Sequence, residues 1–358
     1  MSFAFGIFDS FDQGTSPAPQ VLRERVRFAQ DAERLGIDHY HVTEHHGTPL
    51  SVCPSPNIFL AAISQTTHRM RFGALVYVLP AYDTLRLAEE ISALDQLSDG
   101  RLDLGVGSGL SPYESALLGV PADEMKPRYA EALDLLLATL AAGRIKHVGT
   151  LLPDYDATLS ITPRQSPHPP VWYASSNTRS AAWAGEHDVS FVGRWNAGSF
   201  IAAAREYWAT WQSRHDDAAA QVVRGTEPRV GLSTTLVIGK SEQEALDRYH
   251  RAYTMFGERV TRLWHEHGDH QVDRIADPAA GLNVGNAIVG TRESVRDQVI
   301  AQVEAAQVNY FEIMPLFGDL SYAEGVTALS QFSEHIMPAV RKASRSVLET
   351  RSGAEVSA

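Results

Sequence analysis

A carboxylate followed by two imidazoles, Glu44-His45-His46, closes the short segment DHYHVT. Histidine titrates near neutrality, so it can accept and donate a proton in one place, and an adjacent carboxylate can fix its tautomer. The chemistry this suggests is general acid–base catalysis. The plainer alternative is that one histidine merely satisfies backbone groups. A metal site is the weaker reading, because HExxH spacing is absent and neighbours on an extended segment project to opposite faces. A second set, His265, His267 and His270, falls in a polar stretch that reads as solvated surface. The one cysteine, Cys53, lies in a Pro-rich loop and reads as filler rather than as a nucleophile.

Two further segments could touch a ligand. Gly105-Val106-Gly107-Ser108-Gly109 is not GxGxxG and runs into Leu110-Ser111-Pro112 rather than a helix, which weakens a dinucleotide reading. Glycines there would instead let a ring or phosphate approach the backbone. Ala174-Ser175-Ser176-Asn177, with Ser180, offers hydroxyls and free N–H groups that suit a phosphate; an ordinary helix N-cap explains the same residues.

These groups need a scaffold that carries them to one place. Residues 71–109 read as strand, helix, strand with almost no slack, the pattern of a right-handed parallel crossover. Strand candidates recur at FAFGIF, DHYHVT, RFGALVYV, RLDLGVG, PVWYAS, VSFVG, RVGLSTTLVIG and NYFEIMPLF. Between them, helices are expected over about 20–35, 56–67, 127–142, 179–186 and 200–214. Another carries Leu87, Ile91, Leu94 and Leu97 on one face, and a last one Val295, Val299, Val303 and Ala306. Eight such repeats predict an α/β protein of the (β/α)8 TIM-barrel type, whose active site lies at the carboxyl ends of the strands. Glu44, Leu79, Ser108, Ser176 and Trp195 would then gather on that rim. Residues 265–287, between strands seven and eight, show little periodicity and read as an extended functional or mobile loop. No composition break marks a second domain, so 1–345 reads as one barrel domain and 346–358 as a polar tail.

The 358 residues carry a net charge of −12. Nucleic acid and anionic membrane would repel such a chain. A single cysteine fits a reducing cytosol, no apolar run is long enough to span a bilayer, and the N-terminus reads as a first strand rather than a signal peptide. A cytoplasmic enzyme acting on a small molecule is expected.

The chain resembles the bacterial luciferase-like family of flavin-dependent monooxygenases. The resemblance rests on TEHHG, ALVYVLP with LRLAEEISALDQLSDGRLDLGVGSG, PVWYASSNTRSAAWA, IVGTRESV, NYFEIMPLF and HIMPAV, which together run from Phe3 to about Val340. It implies reduced FMN supplied by a separate flavin reductase, O2 as co-substrate, a flavin hydroperoxide that oxygenates an aldehyde or similar molecule, and a homodimer. The family's histidine falls on His45, oriented by Glu44 or His46, and the backbone at Leu75-Val76 would lie against the flavin ring. Arg128 matches a phosphate-binding arginine, and Ser176, Asn177 and Ser180 match the phosphate cradle. Glu114 falls at a flavin-side acidic position, and Tyr77 and Trp195 are candidates for an aromatic wall. Where luciferase has a phosphate-gripping arginine this chain has Ser108, a loss of charge that Arg128, Arg179 or Arg194 could offset. A deazaflavin-dependent hydride-transfer enzyme and a non-catalytic flavin-binding protein are the alternatives on the same fold; the retained histidine pair speaks against the second.

Overall fold

The computed structural model describes residues 2–194, 198–215 and 227–345. Eleven strands occur among them: β1 (Ala4–Asp9), β2 (His39–Val42), β3 (Arg71–Val78), β4 (Leu102–Gly107), β5 (Arg144–His147), β6 (Tyr155–Thr158), β7 (Val171–Ala174), β8 (Ser190–Arg194), β9 (Val230–Gly239), β10 (Ala287–Thr291) and β11 (Tyr310–Met314). Eight close into a parallel barrel in the order β1-β2-β3-β4-β7-β8-β9-β11, with β11 returning to β1. These are the eight segments expected from the sequence.

Residues alternate between two cores, as the period-two geometry of a strand demands. Phe5 and Ile7 of β1, Tyr40 and Val42 of β2, and Phe72 and Ala74 of β3 face the helical layer in the main core. Helix Ala18–Arg34 buries Phe28, Ala29 and Ala32 there, and Gly36 after it takes a left-handed φ of 84°. Helix Thr84–Leu97 contributes Leu87, Ile91 and Leu94, whereas Leu97 is exposed.

The other face fills the barrel, and it is unusually polar. His39, His41, Asp103, Tyr310 and Glu312 are buried inside, around Trp172. Glycines make the room: a Cβ at Gly6 would overlap the Tyr310 hydroxyl, and one at Gly73 the Asp103 carbonyl.

Two connections differ from the sequence reading. A two-stranded antiparallel hairpin, β5–β6, follows helix Met125–Ala142. The connection after β9 is long but not a bare loop. It holds a 25-residue helix, Glu242–Glu266, two short helices, Asp273–Ala276 and Pro278–Asn283, and β10. The first half of β9 pairs with β11 and the second half with β10, so β10 lies beyond the closed barrel. Helix Glu242–Glu266 buries Ala245, Tyr249, Ala252, Tyr253 and Phe256 on one side, against β10 and Phe317.

Candidate active site

The carboxyl ends of the strands frame a cavity of about 410 Å³. Its wall includes Thr43, Glu44, His45 and His46 after β2, Leu75, Val76 and Val78 of β3, Gly107 to Ser111 after β4, and Tyr173 and Ala174 of β7. A second cavity of about 240 Å³ shares Phe8, Leu75 and Ala174 with it and continues past Ser175, Ser176, Val192, Arg194 and Ser233. The two form one trough across the rim. Glu44, Ser108 and Ser176 therefore gather as expected, whereas Leu79 is buried in the main core. Trp195 lies outside the described residues.

The histidine pair divides between two carboxylates. His45 Nδ1 stands 3.3 Å from Glu114 Oε1, and the His46 backbone N–H donates to Glu114 Oε2 at 2.8 Å. Glu114 sits in helix Pro112–Leu117, capped by the Ser111 side chain. His46 Nε2 lies 3.0 Å from Glu44 Oε1, and this hydrogen bond raises the His46 pKa against the opposing effect of partial burial. Glu44 Oε2 accepts from the Val78 N–H at 3.2 Å and from the Tyr82 hydroxyl at 2.8 Å. The expectation that Glu44 or His46 orients His45 is thus corrected. Glu114 does so, and Glu44 ties the loop after β2 to the end of β3. Side chains of adjacent residues on an extended segment point to opposite faces, so those of Glu44 and His45 reach different partners.

The Leu75–Val76 peptide is cis, and both residues line the trough. Tyr77 is not part of an aromatic wall: it is fully buried in the main core, with its hydroxyl on Asn57 Oδ1 at 2.5 Å. The pairing of β3 with β4 shifts register between Ala74 and Tyr77, which sets Tyr77 on the same side as Phe72 and Ala74, away from the barrel axis. Ser108 lines the first cavity and brings no charge to it.

At the other end, Asn177 caps helix Thr178–Glu186, its Oδ1 accepting from the Ser180 N–H at 2.8 Å. The ordinary N-cap explanation holds for that pair, since the Ser180 N–H is already engaged. Ser176 Oγ accepts from the Arg194 N–H at 3.2 Å. The Arg194 guanidinium lines the second cavity and is braced by Asn286 Oδ1 at 2.9 Å and Thr235 Oγ1 at 3.3 Å. Arg128 lines neither cavity and pairs with Glu124 at 2.8 Å. Among the described residues, the arginine that lines the trough is therefore Arg194.

Sequence reading left the outer wall unseen. Val260 and Trp264 of helix Glu242–Glu266, with Val272 and Ile275 beyond it, close the first cavity opposite Leu110 and Leu118. Tyr113 joins the two sides: its ring stacks on His267 at 4.2 Å between centroids, and its hydroxyl donates to Asp269 at 2.9 Å. His265 and His270 instead share Asp273 at the exposed surface. Cys53 is buried, which raises its thiol pKa. The signal for this wall was present as apolar residues at 245, 249, 252 and 256, a helical spacing.

The sequence profile of the luciferase-like monooxygenases matches residues 3–309. The chain belongs to that family. It is 31% identical over 320 residues to an uncharacterized protein of Sinorhizobium fredii, covering 88% of this chain and 91% of that one. It is 25% identical to limonene 1,2-monooxygenase of Rhodococcus erythropolis over 92% of this chain and 83% of that enzyme. Among solved structures, it is similar to the oxygenating constituent of 3,6-diketocamphane monooxygenase of Pseudomonas putida, in complex with FMN. The TM-score is 0.74 and the identity 20%, covering 94% of this chain and 99% of that one. The coenzyme F420-dependent tetrahydromethanopterin reductase of Methanopyrus kandleri also shares the barrel, at TM-score 0.67 and 17% identity over 94% and 99% of the two chains. At such identities these structures establish the fold alone. Among the described residues of this luciferase-like monooxygenase, no helix is long and apolar enough to cross a membrane.

Proposed function

We propose that the protein is the oxygenating component of a two-component FMN-dependent monooxygenase acting on a small organic carbonyl compound or similar molecule. The observation that carries this reading is the trough itself. A braced guanidinium, Arg194, stands at one end, and a histidine held by a carboxylate, His45 with Glu114, stands at the other. The residues fit FMN on chemical grounds: Arg194 and the Ser176 hydroxyl suit its phosphate, and the Leu75–Val76 backbone with Phe8 and Ala174 suits a flat apolar ring. Bound reduced FMN would supply the electrons that activate O2.

The chain's own residues do the rest. Glu114 accepts from Nδ1 of His45, which fixes the tautomer and leaves Nε2 able to take or return a proton. Glu44 holds His46 and the end of β3 in register with that histidine. The outer wall around Trp264 excludes water from the reacting centre. Reconstitution with FMN, a flavin reductase, NADH and isotopically heavy O2 tests the reading: oxygen from the gas must appear in an added aldehyde or ketone. Label recovered only as peroxide and water would reject it. If the protein takes up a deazaflavin and not FMN, judged by the absorbance of the bound cofactor, hydride transfer on the same trough is the correct reading.

A further inference from the structure

Two clusters among the described residues bring two imidazoles and a carboxylate together with their ligand atoms within 4.8 Å of one another. One is His39, His41 and Asp103 inside the barrel; the other is His265, His270 and Asp273 on its outside. The inner cluster is already engaged. Arg71 Nε occupies Asp103 Oδ1 at 2.7 Å, Glu312 holds His41 Nδ1 at 2.7 Å, and none of the three residues lines either rim cavity. A hydrated ion needs an entry path and free ligand atoms.

The outer cluster differs on both counts. Its side chains are 44 to 66% exposed, and the ion pairs of Asp273 among the described residues are with these two histidines. Asp273 receives one imidazole on each oxygen, His265 Nε2 at 2.6 Å and His270 Nδ1 at 3.1 Å. The two rings stand 4.8 Å apart between centroids, tilted by 36°. The sequence reads this stretch as solvated surface, but a chain reversal gathers it. His265 lies in the last turn of helix Glu242–Glu266, Gly268 takes a left-handed φ of 69°, and Asp273 opens the next short helix. His267 is not part of the cluster, since its Nδ1 is on the Leu263 carbonyl and its ring on Tyr113.

We propose that His265, His270 and Asp273 bind a divalent transition-metal ion such as zinc, and that the bound ion clamps the outer wall of the first cavity. Imidazole mixed with carboxylate suits zinc and its neighbours, whereas magnesium and calcium take oxygen ligands. Bonds of about 2.0–2.2 Å at tetrahedral angles set ligand atoms about 3.4 Å apart, so these exposed side chains need adjust by only about 1 Å. Two bonds from nitrogen and one from oxygen then replace the two hydrogen bonds. The ring proton of each neutral imidazole moves to its other nitrogen, and water takes the fourth position. The clamp joins two elements that face the cavity: Trp264 precedes His265, Val272 precedes Asp273, and Ile275 follows, and all three line the cavity wall. Helix Asp273–Ala276 buries none of its four residues, so an added bridge has a large effect on its local stability.

Calorimetric titration of the untagged, chelator-treated protein with zinc chloride at pH 7.5 tests the site, with magnesium chloride as the comparison ion. Zinc should bind the parent, and His270→Ala and Asp273→Asn should each weaken that binding at least about tenfold, or about 1.4 kcal/mol. His335→Ala, which removes an exposed histidine elsewhere, should leave it unchanged. Magnesium should not bind there. Amide exchange followed by mass spectrometry should slow over residues 264–276 when zinc is added to the parent, and not when it is added to His270→Ala. Both substituted side chains are at least half exposed, so thermal unfolding without zinc should match the parent. Failure of the parent to bind zinc, or equal binding by the parent and both variants, overturns the site. Zinc binding that depends on His270 but leaves exchange unchanged overturns the clamp. None of these measurements uses flavin or turnover, so their outcome is separate from that of the monooxygenase reading.

Discussion

The barrel holds two sets of histidines and carboxylates, one sealed in its interior and one on its rim, and their contrast shows how position decides use. Inside, His39 and His41 are two residues apart on β2 and face the same way. His39 Nδ1 meets Asp103 at 2.8 Å, His41 Nδ1 meets Glu312 at 2.7 Å, and His41 Nε2 stands 3.5 Å from Asp103. Arg71 completes the set on Asp103 at 2.7 Å. Burial pushes His41 down, but the hydrogen bonds and charges of Asp103 and Glu312 outweigh it and raise its pKa to about 9. Burial leaves its neighbour His39 below the usual histidine range despite Asp103. The result is a cation held between carboxylates, and none of these residues lines either rim cavity. On the rim, His45 and His46 are adjacent, part diverging ways, and each has one carboxylate at one ring nitrogen. Burial among paired charges makes the inner set a structural element; one free ring nitrogen beside a cavity makes a rim histidine a group that can exchange a proton.

Substitution should separate the two sets. His41→Ala leaves Asp103 and Glu312 buried without their shared cation, and such losses cost about 3–5 kcal/mol; a fall of that size in urea-unfolding stability is expected. His45→Ala should leave unfolding nearly unchanged and lower oxygenation by about a hundred- to ten-thousand-fold, the range for removal of an acid–base group, with peroxide released in its place. If His45→Ala unfolds the protein as His41→Ala does, the division between floor and rim fails.

Arg194→Ala tests the far end of the trough. Loss of a charge-assisted bond costs about 1.5–3 kcal/mol, so FMN affinity should fall about ten- to a hundred-fold while riboflavin, without phosphate, changes little. Arg128→Ala should have the smaller effect, because its guanidinium rests on Glu124 away from both cavities. The reverse order in equilibrium titrations would move the phosphate to Arg128.

The smallest expected effect is in pH. The folded His41 pKa lies above the unfolded value near 6.5, so its stabilisation is complete below about pH 6.5 and is lost as pH rises through about 9. The stability difference between the parent and His41→Gln should therefore shrink over that window. A difference that stays constant or grows would mean that His41 is buried neutral.

Much of this was legible in the chain because the barrel repeats. Eight short apolar runs, each followed by helical spacing or turn residues, specify a closed parallel sheet, and the residues after β2, β4 and β7 reach one rim by construction. Pairings across the fold were not legible. Glu114 lies 69 residues from His45 and Glu312 lies 271 from His41, and nothing local to either histidine announces its partner. The HYH of β2 reads as an ordinary strand until closure of the barrel turns both rings inward. The helix Glu242–Glu266 was missed for a different reason: Arg and Glu alternate with its apolar positions, and Gly257, which approaches Ala276 closely, interrupts the pattern.

The pairing of β10 with the upper half of β9 has a consequence for how such a barrel can diversify. Asn286, the residue just before β10, braces Arg194. The charge at one end of the trough is thus aimed by a segment that belongs to none of the eight barrel strands. Changes in the length or sequence of that insertion can redirect the guanidinium while every strand keeps its register, so recognition at this end of the trough can drift separately from the scaffold that holds it.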